Sequence, residues 1–252
     1  MATDSFYFGI RFREIKEVTP DLFGDSTLVV IPAAPALAAI PEDIGRDGQV
    51  TSGSYLDALQ RADFAIYDSF FFKLLLLSFE FKYVTKFSGV RFLSGLIAML
   101  APGENISIFT IDPSETSAAK NLEWLRHKLP DATLHSYVAP LYGKGDINDQ
   151  RLVREINVQD PDYVLINLGG GTQERLGLFV RDAATCSNLK GIVCSGAAIA
   201  FETGEQVKIS ATVDALGLGW LARVISKPST YAARYLSAFK LLRIYLTLRR
   251  TL

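Results

Sequence analysis

The sequence predicts an α/β protein with a Rossmann-like, mostly parallel sheet flanked by helices and a helical, basic C-terminal appendage. Three observations predict this fold. Short apolar segments recur along the chain, periodic helical segments lie between them, and every acidic residue precedes the basic C-terminus. Repetition of strand, helix and strand is typical of βαβ units in a parallel sheet.

The apolar segments are rich in β-branched and aromatic residues, as buried strands are. In chain order they read SFYFGIRF, STLVVIPA, DFAIYDSF, ISIFTIDP, TLHSYVAP, DYVLINLG and KGIVCSGA. In a parallel sheet, ligands bind at the loops that follow the carboxyl ends of the strands. We therefore look for the functional residues directly after these segments.

Two periodic segments between the strands predict helices. They are SETSAAKNLEWLRHKLP and DINDQRLVREINVQDP, and each opens with a capping residue and closes at a proline. Beyond residue 208 the chain becomes helical and basic, with Pro228 separating two apolar helical segments. The predicted division is an α/β domain at 1–208 and a helical appendage at 209–252.

Composition excludes several classes of protein. A chain of 252 residues with 49% hydrophobic and 21% charged residues is not disordered. Two cysteines, Cys186 and Cys194, are too few for a disulfide scaffold and favour a reducing compartment. The most apolar segment, 64–84, contains four charged residues, so we expect no membrane-spanning helix. The charged residues among the first seventeen positions lead us to expect no secretion signal there.

The sequence contains neither a phosphate-binding P-loop nor a nucleophile elbow. The two histidines, His127 and His135, have no other ligand at metal-binding spacing, so we expect neither a metal site nor a bound cofactor. These absences disfavour serine hydrolases and P-loop nucleotidases.

Asp68 is the first candidate catalytic residue. It ends a strand, and three phenylalanines follow at positions 70–72. This apolar setting disfavours a charged carboxylate, so we expect a pKa that suits a general base. The alternative is that Asp68 only caps the helix that starts near Phe70.

The segment from Gly169 to Arg175, GGGTQER, is the sharpest local motif. Three glycines allow backbone amides to approach a phosphate, and the helix that follows adds a favourable dipole. Gln173 and Glu174 are then candidates for hydrogen bonds to a sugar or base. The alternative is an ordinary glycine-rich turn between a strand and a helix.

The C-terminal tail carries seven basic residues and no acidic residue after Asp214, whereas the preceding body has a net charge of −8. Tyr231, Tyr235, Phe239, Leu242 and Leu246 fall on one face of its last helix, with basic residues beside them. This composition predicts a helix in the interface of an anionic membrane. The alternatives are a helix packed on the domain with a solvated basic face, and, more weakly, a nucleic-acid surface.

Three segments resemble the WecG/TagA/CpsF glycosyltransferase family. PDYVLINLGGGTQER (161–175) is similar to the family's Pro-Asp pair, strand and Gly-x-Gly-x-x-Gln-Glu. GLGWLARVISKPSTYAARYL (217–236) is similar to its Gly-Leu-Glu-Trp, Arg, Pro and Arg-Tyr pattern. ADFAIYDS (62–69) is similar to its Ala-Asp, strand and Asp-Gly. The resemblance runs over most of the length of the chain, and the three motifs are specific when they occur together and in the family's order.

The resemblance implies an inverting, metal-independent glycosyltransferase of bacterial surface polysaccharide biosynthesis. Such an enzyme moves a hexose, of the N-acetylmannosamine, glucose or uronic acid type, from a UDP-sugar to a polyprenyl-diphosphate-linked saccharide. It implies a peripheral protein on the cytoplasmic face of the cell membrane. No nucleic-acid partner is expected, and a homo-oligomer is left open.

The resemblance also implies roles for individual residues. Asp68 matches the general base, and the turn residues Gly169, Gly170, Gly171 and Thr172, with Gln173 and Glu174, match the donor site. Arg223 and Arg234 match residues that contact the lipid diphosphate.

The chain departs from the family pattern at several positions. Ile31-Pro32-Ala33 replaces Thr-x-Asn, Asp112-Pro113 replaces Gly-Gly, Ser69 replaces a glycine, and Ile209-Ser210-Ala211 replaces Arg-Ala-Pro. These departures motivate a second hypothesis, that the chain is an inactive relative that acts as a binding or scaffold protein in the same pathway.

Overall fold

The structure is a computed structural model that describes residues 3–101, 105–143, 145–204, 236 and 239–248. Its centre is an eight-stranded sheet in the order β1-β2-β4-β3-β8-β7-β5-β6. The strands are β1 (Thr3–Tyr7), β2 (Ile10–Glu14), β3 (Thr27–Val30), β4 (Phe64–Ile66), β5 (Ser107–Asp112), β6 (Thr133–Val138), β7 (Tyr163–Ile166) and β8 (Gly191–Cys194). The β1–β2 pair is antiparallel and every other neighbouring pair is parallel, which confirms the mostly parallel sheet.

Helices cover both faces of this sheet. They are α1 (Ala34–Leu37), α2 (Tyr55–Arg61), α3 (Phe70–Glu80), α4 (Gly89–Leu100), α5 (Glu115–Lys128), α6 (Gln150–Gln159), α7 (Thr172–Ala183), α8 (Ala198–Glu202) and α9 (Lys240–Leu248). One core cluster joins the sheet to α1, α2, α3, α6, α7 and α9, and a second joins it to α4, α5 and α8. Three layers with a sheet in the middle confirm the predicted Rossmann-like α/β class.

The first predicted strand is in fact a hairpin. SFYFGIRF turns back at Phe8 and Gly9, whose φ angles are +57° and +72°. Positive φ at both central residues is the geometry of a tight hairpin turn, which glycine favours. Phe8 is nevertheless buried in the core, so its apolar character concealed the turn in the sequence.

The two predicted helices begin and end as their capping signals indicate. The hydroxyl of Ser114 accepts the Ser117 amide at 3.2 Å and starts α5. A carboxylate oxygen of Asp149 accepts the Leu152 amide at 3.0 Å and starts α6, three residues later than the first acidic residue of that segment. Both helices end within two residues of a proline.

The described C-terminal helix, α9, packs on the body of the protein. Leu241, Ile244 and Tyr245 are buried, and the Tyr245 ring lies against Phe8 and Phe72. The Tyr245 hydroxyl also donates a hydrogen bond to Glu80 of α3. One face of the appendage is therefore part of the core. Within the described ranges, no helix is both long and apolar enough to cross a bilayer.

The connections diverge between β5 and β7. The chain leaves β5 toward β6 at one edge, and leaves β7 toward β8 near the centre of the sheet. Neighbouring strands whose connections run in opposite directions leave a crevice between their carboxyl ends. The topology therefore places the expected ligand crevice beside the loop that follows β7.

Candidate functional site

The predicted site loops that the structure describes lie along one edge of the sheet. Asp68 follows β4 and the glycine turn follows β7, with β3 and β8 between them. Three strand spacings place the ends of β4 and β7 about 14 Å apart. Gly196 in the loop after β8 and Ala36 in α1, the helix after β3, lie in the segments between these two points, because β3 and β8 lie between β4 and β7.

Asp68 is half-buried and stands two residues before α3. The N-cap of that helix is Ser69, whose hydroxyl accepts the Phe72 amide at 3.0 Å. The interpretation that Asp68 caps the helix is therefore wrong. The serine that replaces the family's glycine takes that role, and the general-base role of Asp68 stays a prediction.

The three glycines after β7 form an open turn. Gly169 and Gly170 are exposed, and Gly171 has a φ of +91°. No atom lies within 4 Å of the Cβ position of Gly169 or Gly171, and that of Gly170 meets only Ala36, at 3.8 Å. Within the described part of the chain, the amides of Gly169 and Gly170 have no hydrogen-bond acceptor. These two amides lie directly before Gly171, the N-cap of a twelve-residue helix, and together with the helix dipole they form a suitable site for an anion.

Gln173 and Glu174 face inward rather than toward solvent. One carboxylate oxygen of Glu174 accepts the Gly171 amide at 2.6 Å, and the other accepts the Gln173 side-chain amide at 3.0 Å. Burial raises the pKa of Glu174, against the effect of these hydrogen bonds. Glu174 thus shapes the turn from inside, while Thr172, the first residue of α7, stays half-exposed.

Gln173 connects the loops after β7 and β8. Its side-chain amide lies 3.2 Å from the Cβ position of Gly196, whose φ of +57° also favours glycine. The Gln173 Oε1 atom is buried and has no partner among the described residues. A larger residue at position 196 would displace Gln173 and, through Glu174, the glycine turn.

A buried polar network that the sequence analysis missed lies at the switch point between β5 and β7. Asp112 Oδ1 accepts hydrogen bonds from Asn167 at 2.7 Å and from Asn121 at 2.6 Å, and Oδ2 accepts one from Thr110 at 2.7 Å. Asn167 in turn accepts the Ser195 hydroxyl at 2.7 Å. The sequence showed Asp112 only as a departure from the family's Gly-Gly, but polar residues at the ends of apolar strands were the available signal.

An open groove of about 720 Å³ lies beside the carboxyl end of β6. The hydroxyls of Tyr137 and Tyr142 both donate to Asp149, at 2.9 and 2.6 Å, and Arg151 lies over the Tyr137 ring. Partial burial and the Asp149 carboxylate raise the pKa of Tyr137 to about 12. Partial burial alone would raise the pKa of Asp149, but hydrogen bonds from Tyr142, the Leu152 amide and Tyr137 hold it below its usual value.

Arg175 connects this groove to the glycine turn. From the first turn of α7, its guanidinium donates to the carbonyl oxygens of Gly53 at 3.0 Å and Gly143 at 3.1 Å, and also to that of Gly145. A planar guanidinium suits several acceptors at fixed angles. The last residue of the GGGTQER motif therefore positions the loops around the site.

Arg223 and Arg234, the predicted diphosphate contacts, lie outside the described residues, as do Tyr231 and Tyr235. Phe239, Leu242 and Leu246 of the predicted apolar face are described and are exposed. In the described ranges, no group of three or more His, Cys, Asp or Glu residues could hold a metal ion.

The fold and this edge of the sheet define a class: an α/β protein whose ligand crevice lies beyond the carboxyl ends of parallel strands, beside a glycine turn. Residues 46–252 match the family model described as the glycosyl transferase WecG/TagA/CpsF family. The chain belongs to this family, and so to the glycosyltransferases of polysaccharide synthesis. A comparison with curated proteins gives no match.

Proposed function

We propose that the protein is an inverting glycosyltransferase that moves a hexose from a UDP-sugar to a polyprenyl-diphosphate-linked saccharide in bacterial surface polysaccharide biosynthesis. One observation carries this proposal. The Asp68 carboxylate, beside which Ser69 caps the helix, and two backbone amides that have no acceptor among the described residues follow the carboxyl ends of strands in the same sheet. The first suits a proton acceptor and the second suits a diphosphate.

The reaction is a single displacement. The Asp68 carboxylate takes the proton of the acceptor hydroxyl while that oxygen attacks C1 of the sugar. The bond from C1 to the UDP oxygen breaks on the opposite side, UDP carries away the electron pair, and the configuration at C1 inverts. Such a step requires a positioned base and stabilisation of the leaving group, but no covalent intermediate.

The leaving diphosphate is stabilised by the protein in this proposal. The amides of Gly169 and Gly170 and the start of α7 bind its oxygens, and Glu174 holds the turn in place from inside. Arg223 and Arg234 add positive charge to the lipid diphosphate and the departing UDP. Backbone amides and arginines together make the transfer independent of a metal ion.

We place the nucleoside of the donor in the groove beside β6. Its carboxylates, Asp146 and Asp149, disfavour a phosphate but accept hydrogen bonds from ribose hydroxyls and the base N–H. The Arg175 contacts hold the Gly143 end of this groove against α7, the helix that the glycine turn precedes, and we infer that the donor extends from the groove to the turn. The sugar then extends from the turn toward Asp68.

The protein works at a membrane in this proposal, peripherally on the inner face of the cell membrane. Residues 1–208 form the catalytic domain and residues 209–252 the membrane-associating appendage. The absence of acidic residues after Asp214 supports attraction to anionic lipid.

A second candidate function is a scaffold protein that keeps the fold without turnover. Ile31 and Pro32 are buried after β3 and offer no polar side chain where the family has Thr-x-Asn. The test is UDP release from a panel of UDP-sugars with a lipid-linked acceptor in the presence of a chelator. Release that depends on Asp68 supports the enzyme, whereas no release with any donor and acceptor supports the scaffold.

A further inference from the structure

Helix α3 is apolar on the side that faces solvent as well as on the side that faces the core. Phe72, Leu75 and Leu76 are buried. Phe70, Leu74 and Leu77 fall on the opposite side, where Leu77 is 42% exposed. A surface helix normally turns polar residues outward, so a second apolar face indicates another surface that covers it.

Helix α9 has the same arrangement. Leu241, Ile244 and Tyr245 pack inward, whereas Phe239, Leu242 and Leu246 are exposed, Leu246 by 51%. The two helices are neighbours, because the rings of Phe71 and Phe239 meet with centroids 5.4 Å apart. We call their shared outer side the α3–α9 face, which consists of Phe70, Leu74, Leu77, Phe239, Leu242 and Leu246.

The charges beside the α3–α9 face are positive. Lys73 in α3 and Lys240 and Arg243 in α9 border it. The sole carboxylate in the sequences of these two helices belongs to Glu80, which accepts hydrogen bonds from the hydroxyls of Tyr7, at 3.0 Å, and Tyr245. Protein partners usually present charges of both signs, whereas apolar side chains with a purely cationic border match an anionic bilayer surface.

We propose that α3 is a membrane-binding helix, and that the α3–α9 face inserts into the boundary between headgroups and acyl chains of an anionic bilayer. Of the described part of this surface, α9 and Phe239 supply one half, and α3 of the α/β body supplies the other half. Taken with the proposed function, on which this consequence rests, docking brings Asp68 close to the lipid. Asp68 lies two residues before α3, so a lipid-linked acceptor reaches the base without leaving the bilayer.

The test is sedimentation of the full chain with phosphatidylcholine vesicles that contain or lack phosphatidylglycerol. Leu77→Ser and Leu74→Ser/Leu77→Ser should lower the partition coefficient, the double variant by about tenfold or more. Val158→Ser is the matched control, because Val158 is a 79% exposed aliphatic residue on α6, away from this face. Lys73→Gln/Arg243→Gln should weaken binding only to vesicles with phosphatidylglycerol, and high salt should remove that difference.

Unchanged sedimentation of the double leucine variant, with the wild-type melting temperature, would overturn the proposal. A lower melting temperature with unchanged sedimentation would show that the chain itself covers this face, and a change from dimer to monomer in light scattering would show that a second copy does. The charge variant keeps the leucines and tests the proposal even if the leucine variants fold poorly. Sedimentation requires no turnover, so its outcome is independent of the glycosyltransferase proposal.

Discussion

The hydroxyl of Ser69 accepts the backbone amide of Phe72, and this 3.0 Å contact starts α3 directly after Asp68. Two adjacent residues therefore have separable roles, a structural role for the serine and a chemical role proposed for the aspartate. This separation allows the general-base hypothesis to be tested without confusing a loss of activity with a loss of the helix.

Asp68→Asn should reduce UDP release by at least about 100-fold, because general base catalysis typically contributes that much. Its melting temperature should stay near that of the wild type. Ser69→Ala should behave in the opposite way, losing about 1 kcal/mol of stability with most of the activity retained. Equal rates for Asp68→Asn and the wild type would remove Asp68 from the mechanism.

The glycine turn predicts different outcomes for two of its residues. Gly169→Ala places a methyl group in open space, so stability should hold. The methyl group would hinder the approach of a phosphate to the backbone amides, so UDP affinity should fall about tenfold or more, as expected for the loss of a hydrogen bond to a charged group, about 1.5–3 kcal/mol. Gly171→Ala should cost about 1–3 kcal/mol of stability because its φ is +91°. Calorimetric titration with UDP and thermal unfolding separate the two effects.

Gly24→Ala is the control for the glycine pair, because Gly24 is also exposed with no atom within 4 Å of its Cβ position and lies far from the turn in the sequence. It should change neither UDP affinity nor stability by more than about 0.5 kcal/mol. If Gly169→Ala binds UDP as tightly as Gly24→Ala does, the diphosphate does not bind at this turn.

The buried Glu174 predicts a pH dependence of stability. Burial raises its pKa in the folded protein above the reference value of 4.5, so the folded state holds the proton more tightly than the unfolded state. Its contribution to stability is therefore greatest below pH 4.5 and is lost as the pH rises through the raised folded value. The side chain of Glu174→Gln cannot ionise. Its amide can donate a hydrogen bond to Gln173 Oε1, which has no partner among the described residues, once the Gln173 amide group rotates by half a turn.

The melting temperature of Glu174→Gln relative to the wild type should therefore increase as the pH is raised from 4.5 to neutrality. Glu123→Gln, at an exposed position on α5, should show no such trend. A constant difference for Glu174→Gln across this range would contradict the raised pKa. Thermal unfolding at a series of pH values provides the measurement.

Tyr245 tests whether α9 belongs to the core. Tyr245→Ala should destabilise the protein by about 3–5 kcal/mol, as the loss of a buried aromatic residue does. Tyr245→Phe should cost about 1–3 kcal/mol because it keeps the buried ring but removes the hydrogen bond to Glu80. Leu246→Ala, half-exposed on the same helix, should change stability by less than about 0.5 kcal/mol in urea unfolding.

The parallel sheet was predictable because buried strands and capped helices each leave a local signature. Ser114 and Asp149 cap their helices as the sequence indicates. The hairpin at Phe8 was not predictable from hydropathy, because a residue buried by a distant helix resembles a strand residue. The side of α9 that packs on the core was also not predicted. The helical periodicity of apolar residues does not show which of two apolar faces contacts the core.

The site was predictable in its loops but not in its contacts. The glycine turn and Asp68 follow strands and could be located by position along the chain. Two partners of Asp112 are remote in sequence, Asn167 directly after β7 and Asn121 in α5, and those of Arg175 lie in two separate loops, so no local pattern contains them. Aspartate and serine are both common N-cap residues, so the sequence alone does not show which of Asp68 and Ser69 caps α3.

The three carbonyl contacts of Arg175 also limit how this protein can be altered. Residues 53, 143 and 145 belong to two loops that are remote in sequence, yet their carbonyl oxygens accept hydrogen bonds from the same arginine side chain. Lysine keeps the charge but lacks the planar guanidinium group, so it cannot make all three hydrogen bonds at once. An insertion or deletion in either loop would therefore disturb its contact with Arg175, on the helix that starts at Thr172. If this edge binds the donor as proposed, a change of donor specificity would require both loops and this arginine to be exchanged together.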